Sequence, residues 1–284
     1  MGCTFGGTVN NMNLHTDEFY TAAIKNIYPN SWDVRKPAVP GGVSPVFLCD
    51  TSSGTKVCRF SNSDIVFRNR YVSDLLTMYE IPVPKTQVYA YLDTWFESYD
   101  YCHAPTLHER IQEGISNADV FNIYKQATDM QRKISQIRPE YFKPTRYKYM
   151  HEVFCATQKM RVNPILAYTY GFVHRLFSDS GNVYLLHNDI YDKNMLVDGT
   201  HGLARLIDLD AVALCNESFS VMMTLRMYPL TNHCEYMDYY EDTMQRKINR
   251  EAIMTGLKIL NTIRKPQVAL NRLLWRGYNA PPGR

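Results

Sequence analysis

The sequence predicts an α+β fold with a small β-rich N-terminal lobe and a larger, mainly helical C-terminal lobe. Three observations predict it. Residues 40 to 102 combine strand-like composition with Gly, Ser and Pro turn signals. Beyond Pro105, apolar residues recur at helical spacing. The helical region is interrupted at 185 to 214, "LLHNDIYDKNMLVDGTHGLARLIDLDAVAL", where short apolar runs surround a group of ionisable and amide side chains. At 284 residues the chain can bury a sizeable core and suits one large domain or two lobes.

The first fourteen residues, rich in Gly, Asn and Thr, read as a mobile leader. Thr16 can cap a short helix, with Asp17 and Glu18 in its first turn and Phe19, Ala23, Ile24 and Ile27 on one face; Pro29 stops it. "VPGGVSPVFLCDTSSGTKVCRF" reads as strand, turn, strand, from Val46-Phe47-Leu48 through Ser-Ser-Gly to Val57–Phe60. A helix from about Ser63 to Tyr79 follows. "IPVPKTQVYAYLDTWFESYDY" then returns to strand composition behind Pro82 and Pro84. In the C-terminal lobe, Val120, Ile123, Tyr124, Ala127, Met130, Ile134 and Ile137 mark one helix behind a Ser116 or Asn117 cap. A second covers "NPILAYTYGFVHRLFSDSG", with Pro164 in its first turn and Gly181 beyond its end. A third runs from about Asp242 to Ile263 and is closed by Pro266. The expected divisions are 1–39 for leader and first helix, 40–102 for the N-lobe and 103–284 for the C-lobe.

Composition excludes several function classes. A net charge of +3, dispersed and without a basic run, gives no footprint for nucleic acid. No long uncharged apolar run offers a transmembrane helix, and no signal-peptide core follows the start. An N-myristoylation signal wants Ser or Thr where Gly6 stands. Seven cysteines, scattered without a CxxC pair, read as reduced thiols of a cytoplasmic protein.

The stretch 185–214 carries the chemistry. Burying an unpaired carboxylate is costly, so Asp189, Asp208 and Asp210 need compensation, and a bound cation with a phosphate ligand would supply it. Phosphoryl transfer requires a carboxylate to take a hydroxyl proton and hard oxygen ligands for magnesium. His187-x-Asp189, with Asn194 five residues on, offers a base and an amide oxygen from one loop anchored by Val183–Leu186 and Met195–Val197. "ARLIDLD" brings Asp208 off another apolar strand, and a hairpin through Asp198-Gly199 would place it near Asn194. Taken singly, HND and DGT are ordinary turn sequences; their joint order in this frame is what points to a site.

"HNDIYDKNML" followed by "LIDLD" resembles the aminoglycoside phosphotransferase and choline kinase group of protein-kinase-like small-molecule kinases. The resemblance extends upstream over roughly residues 40 to 260. "GGVSPVFL" resembles the nucleotide-covering loop, "VCRF" the third strand, "FRNRYVSDLLTMYEIPVP" the next helix and its exit, and "FESYDYCHAPTL" the adenine-binding hinge. It implies a bilobal protein-kinase-like fold using ATP and Mg²⁺ on a small-molecule hydroxyl. Residue by residue, it implies Asp189 as catalytic base, Asn194 and Asp208 as magnesium ligands, and His187 as support of the loop. Arg59, with Gly41, Gly42 and Ser44, would meet the nucleotide phosphates, and the backbone of Asp100, Tyr101 and Cys102 the adenine. Asp210 would bind a second metal or brace the loop. The family's acceptor pocket is built after the metal-binding Asp, where "HCEYMDYYEDT" offers Glu235, Tyr236, Asp238 and Tyr239 for an amine or a sugar ring. "LIDLDAV" followed by Arg226 also resembles N-acetylhexosamine 1-kinases.

Three positions depart from the family pattern. Arg59 stands where Lys is usual, Asn69 where the helix Glu that pairs with it is usual, and Ser220 where an Asp commonly braces the catalytic loop. The first two bear on nucleotide affinity, with Asp74 a substitute partner for Arg59, and the third on the loop. The missing Glu at position 69 favours the alternative reading, a catalytically degenerate kinase-like binding protein.

Overall fold

A computed structural model describes residues 15–37, 44–144, 147–156, 172–177, 183–199 and 202–262. The leader, Gly41, Gly42 and most of the helix expected over 163–181 lie outside these residues. Contacts divide the chain into two units, Met1–Asp74 with Pro84–Cys102, and Leu75–Val83 with His103–Arg284.

The first unit is an antiparallel five-stranded sheet with the order β1-β2-β3-β5-β4. Its strands are β1 Asp33–Arg35, β2 Val46–Thr51, β3 Gly54–Ser61, β4 Gln87–Tyr91 and β5 Thr94–Asp100. Strand β1 had no counterpart in the sequence reading, because three residues are too few to show alternation. Arg35, reaching both Asp33 and Asp50 at 2.5 Å, fastens it to β2. Helix α1, Asp17–Ile27, begins at the Thr16 cap, whose hydroxyl accepts from the Phe19 N–H at 3.4 Å. It is part of this unit and not of a separate leader: Tyr20, Ala23 and Ile24 are buried with Phe47, Phe60 and Phe96. The Tyr20 ring lies 4.5 Å from Phe60, which lies 4.9 Å from Phe96. Burying each such ring stabilises by about 1.5–3 kcal/mol, so α1 and the sheet form one core. Helix α2, Ser63–Met78, matches its expected span closely.

In the second unit, α3 Leu107–Gln112 starts on a capping box between Thr106 and Glu109. Helix α4, Asn117–Ser135, starts at the Ser116 cap and buries Val120, Ile123, Tyr124, Ala127 and Ile134, five of the seven expected positions on its face. Helix α5 covers Met150–Ala156. Two antiparallel ribbons follow, β6 Val183–Leu186 with β9 Ala213–Asn216, and β7 Met195–Asp198 with β8 Gly202–Leu206. The β7–β8 hairpin turns at Asp198-Gly199 as expected, and Gly199 takes the left-handed φ of 63° that such a turn requires. Helix Glu217–Met227 packs against the β6–β9 ribbon, and His233–Met244 packs against α4.

The helix expected from Asp242 to Ile263 is instead the end of one helix and the whole of another. The first stops at Met244, where Gln245 turns left-handed at φ 54°; a second runs over 250–262. The break is held by Glu241, which is buried and accepts from the Ile248 N–H at 3.1 Å, Lys247 at 3.0 Å and Arg250 at 2.5 Å. Asn249 then caps the new helix at the Ala252 N–H, 3.0 Å away. Burial raises the Glu241 carboxyl, but the Arg250, Ile248 and Lys247 hydrogen bonds together outweigh it and bring it down to about 2. A carboxyl lowered on folding contributes stability that is present above its ordinary range of about 4.5 and lost as pH falls toward 2. Urea unfolding of wild type and Glu241→Gln between pH 6 and pH 2 should therefore show the variant's acid slope flatter, by about 2–3 kcal/mol over that range. Parallel slopes would remove Glu241 as the acid-sensitive lock.

Among the described residues no helix is long and apolar enough to cross a membrane, and the cysteines at 49, 58, 102, 215 and 234 are free thiols.

Candidate active site

The candidate catalytic loop grows from the two ribbons. Strand β6 ends at Leu186, and His187-Asn188-Asp189 leads into a 3-10 turn, Asp192–Asn194, where the Asn194 N–H returns to the Tyr191 carbonyl at 2.9 Å. The Asn194 amide donates to the Asp189 carbonyl at 3.0 Å and to its carboxylate at 2.8 Å. With its NH₂ end fixed on Asp189, the Oδ1 end of Asn194 is the one a cation could use. The hairpin brings its second strand back so that the Ile207 N–H reaches the Asn194 carbonyl at 3.0 Å, which seats Asp208 beside this loop. Asp208 is left-handed, with φ 62° and ψ 73°. Burial first, and then the charges of Asp189, Asp208 and Asp192, push the Tyr191 hydroxyl up to about 12, a sign that these carboxylates converge on one ring. Asp210 lies in the next 3-10 turn, Leu209–Ala211.

Carboxylate and amide oxygens are the donors magnesium favours, so Asp208 and Asn194 fit that ion in kind. Among the described residues no group of three His, Cys, Asp or Glu side chains forms a metal cluster. A cation here would rely on Asp208, the Asn194 amide and ligands that come with the substrate.

Support for the loop comes from residues the sequence reading passed over. Asn188, 1% exposed and at φ 62°, donates its amide to the carbonyls of Leu186 and Ala211 at 2.9 Å and of Ala213 at 3.1 Å. Gln131 on α4 accepts from the His187 N–H at 2.9 Å and donates to Ser220 at 3.4 Å. The gap opened by Ser220 is thus bridged by a longer side chain from another helix. His187 itself is fully buried, and burial, partly offset by the backbone of Ile207, holds its imidazole down at about 4. It is neutral near pH 7 and packs under the loop. His108 on α3 adds a tie to Asp192 at 2.7 Å. Replacing Gln131 with Met keeps its bulk but leaves the His187 N–H buried without its acceptor, a loss of about 1–3 kcal/mol. Faster hydrogen exchange at that amide and a lower urea midpoint are expected; unchanged exchange would show that the bridge carries no load.

In the N-terminal unit, Arg59 on β3 stands opposite Glu97 on β5, with Nη1 3.1 Å from the carboxylate. Asn69 on α2 donates to both oxygens of Glu97, at 3.3 and 3.1 Å. Asp74 pairs with Arg70 on its own helix at 2.8 Å, not with Arg59. At the expected hinge, Asp100 bonds Lys56, and the Tyr101 N–H is held by the Thr55 carbonyl at 2.9 Å. That N–H continues the sheet into the stretch that ends at Cys102. Ser44 is half-buried before β2.

Of the four acceptor residues expected on the helix His233–Met244, one lies in the core and three on the outer side. Tyr236 is 1% exposed, and its hydroxyl accepts from Thr128 at 3.2 Å inside the core. Glu235 accepts from the Asn232 amide at 3.0 Å at the helix start, and Asp238 pairs with Arg250 at 2.7 Å. Tyr239 is half-buried, with Lys125 5.2 Å from its ring centre. Helical spacing sends 236 and 240 to the core face, which removes Tyr236 from any acceptor site, while Glu235, Asp238 and Tyr239, at i, i+3 and i+4, share the outer side of the helix.

No protein-family profile and no curated protein matches the chain. Solved structures do. The APH(2″)-IIia enzyme in its GDP and kanamycin complex superposes with a TM-score of 0.64 at 14% identity, covering 91% of this chain and 93% of that one. An aminoglycoside-3′-phosphotransferase of type VIII gives 0.61 at 12%, covering 86% and 97%. The macrolide 2′-phosphotransferase MphH from Brachybacterium faecium gives 0.54 at 15%, covering 95% and 100%. Identities this low establish a shared fold.

Proposed function

We infer that this chain, which has the bilobal kinase-like fold of aminoglycoside and macrolide phosphotransferases, is itself a phosphotransferase. It moves the γ-phosphate of ATP to a hydroxyl of a small molecule: a sugar, amino sugar, aminoglycoside or choline-like alcohol. The observation that carries this reading is the arrangement of Asp189, Asn194 and Asp208 on one loop-and-hairpin unit, locked by the Asn194 amide and the Ile207–Asn194 bond.

Asp189 takes the proton of the acceptor hydroxyl as its oxygen bonds to the γ-phosphorus and the bond to the β–γ bridging oxygen breaks, releasing nucleoside diphosphate. Asn194 holds the Asp189 carboxylate in place. Arg59 of the N-terminal unit neutralises phosphate charge. Asn194 and Asp208 would hold magnesium, which when bound lowers the charge on the triphosphate. The reading expects a cytoplasmic enzyme, in keeping with the free thiols. A degenerate binding protein was favoured only by the missing helix Glu, and Arg59 has Glu97 as its partner.

The test is a nucleotide-consumption screen with ATP and with GTP, since several structural neighbours are GDP complexes. Choline, hexoses, hexosamines, aminoglycosides and macrolides serve as acceptors, with the product mass read for one added phosphate. Consumption that depends on one acceptor class supports the enzyme. No consumption, together with no nucleotide binding, rejects it.

A further inference from the structure

We propose that Glu97 is the positioning residue for Arg59, so that the ion pair expected between strand and helix lies instead between two neighbouring strands. The proposal rests on the reading of Arg59 as a phosphate contact. Arg59 and Glu97 are direct cross-strand partners in the β3–β5 register, so their side chains leave the same face of the sheet. The Glu97 side chain is 4% exposed and that of Arg59 15%. A carboxylate buried to that degree needs a cation and hydrogen bonds to offset its lost hydration. Arg59 supplies the cation at 3.1 Å, and the Asn69 amide bridges both oxygens at 3.3 and 3.1 Å.

The two departures in the N-lobe thereby explain each other. With the carboxylate on β5, a Glu at position 69 would set two anions against one another in a buried space, whereas an amide donates to the one already there. Arg also suits this arrangement better than Lys. Its planar fork carries five N–H donors, so pairing one end with a strand neighbour is compatible with directing others at a phosphate. Glu97 anchors two things at once, the guanidinium and helix α2 through Asn69.

The experiment is a charge relocation in the full chain: wild type, Glu97→Gln, Asn69→Glu and the double variant, each titrated with ADP·Mg²⁺ and GDP·Mg²⁺ by calorimetry, with circular dichroism as the fold check. Gln keeps the shape of Glu97 and an acceptor for Asn69 but removes the charge that fixes Arg59. Nucleotide affinity should fall roughly ten- to hundredfold. Asn69→Glu alone should melt lower and bind no better. The double variant, which returns the carboxylate to the helix, should regain most of the affinity lost in Glu97→Gln, a rescue that a merely structural role does not predict. A folded Glu97→Gln with wild-type affinity overturns the proposal. If Glu97→Gln does not fold, the double variant decides: binding within about threefold of wild type supports the proposal, and weaker binding in a folded protein overturns it. Failure of both to fold makes Glu97 a structural requirement of the sheet and also overturns it. Wild type that binds neither nucleotide rejects the phosphotransferase reading itself, a result distinct from all of these.

Discussion

Asp189→Asn should lower kcat by roughly a hundred- to ten-thousandfold while nucleotide affinity changes little. The substitution keeps the size of the side chain and one acceptor oxygen, and removes only the capacity to take a proton. In the wild type the carboxylate is held by the Asn194 amide at 2.8 Å, so its orientation is fixed before any acceptor arrives. An amide at 189 can still accept from Asn194 through its oxygen, which keeps the loop intact and confines the effect to proton transfer. Steady-state kinetics on the acceptor found in the screen, alongside calorimetry with nucleotide, separate the two quantities. Full turnover by Asp189→Asn would remove this residue as the base even with the fold unchanged.

Asp208→Asn should abolish the magnesium-dependent part of nucleotide stabilisation. A ligand present at a hundred times its Kd stabilises the folded state by about 2.7 kcal/mol. If Asp208 ligates the ion, wild type should melt higher with ATP and Mg²⁺ than with ATP and EDTA, and the variant should show no such difference. Asn is the right replacement because Asp208 sits at φ 62°, a region Asn tolerates nearly as well as Asp. The apo melting temperature should therefore stay close to that of wild type. A magnesium-dependent shift that survives in the variant would move the ligand role to another oxygen, with Asp210 the next to replace.

Much of this protein was legible from local pattern. The α1 cap at Thr16, the apolar face of α4, the hairpin at Asp198-Gly199 and the pairing of Asp189 with Asn194 follow from spacings of a few residues, and the hairpin carries Asp208 back to that loop. What was missed depends on partners distant in sequence. Glu97 lies 38 positions from Arg59, and Gln131 lies 89 from Ser220. No periodicity links such pairs, although a carboxylate in the middle of "TWFESYD" was a signal that a buried strand charge needed a cation. The run "HCEYMDYYEDT" was legible only in part for a related reason. Its composition suits a pocket, but helical geometry takes Tyr236 into the core and gives Glu235 a cap partner and Asp238 a salt bridge. The break at Gln245 was hidden because nothing in the residue itself forbids a helix; the buried Glu241 and its three donors impose it.

Position 188 meets two demands that few side chains satisfy together. Its left-handed backbone favours Gly, Asn and Asp. Its surroundings are three carbonyl oxygens, which call for a donor. Gly fits the backbone and leaves the carbonyls unmet; Asp fits the backbone and sets an anion against them; Gln carries the donor on a longer arm that the left-handed backbone accepts poorly. Saturation of this codon should therefore leave asparagine nearly alone among the tolerated residues, although the side chain touches neither nucleotide nor acceptor in the proposed reaction. Mutational intolerance at this site reports the architecture of the loop, and a scan that equated intolerance with chemistry would misplace the active centre by one residue.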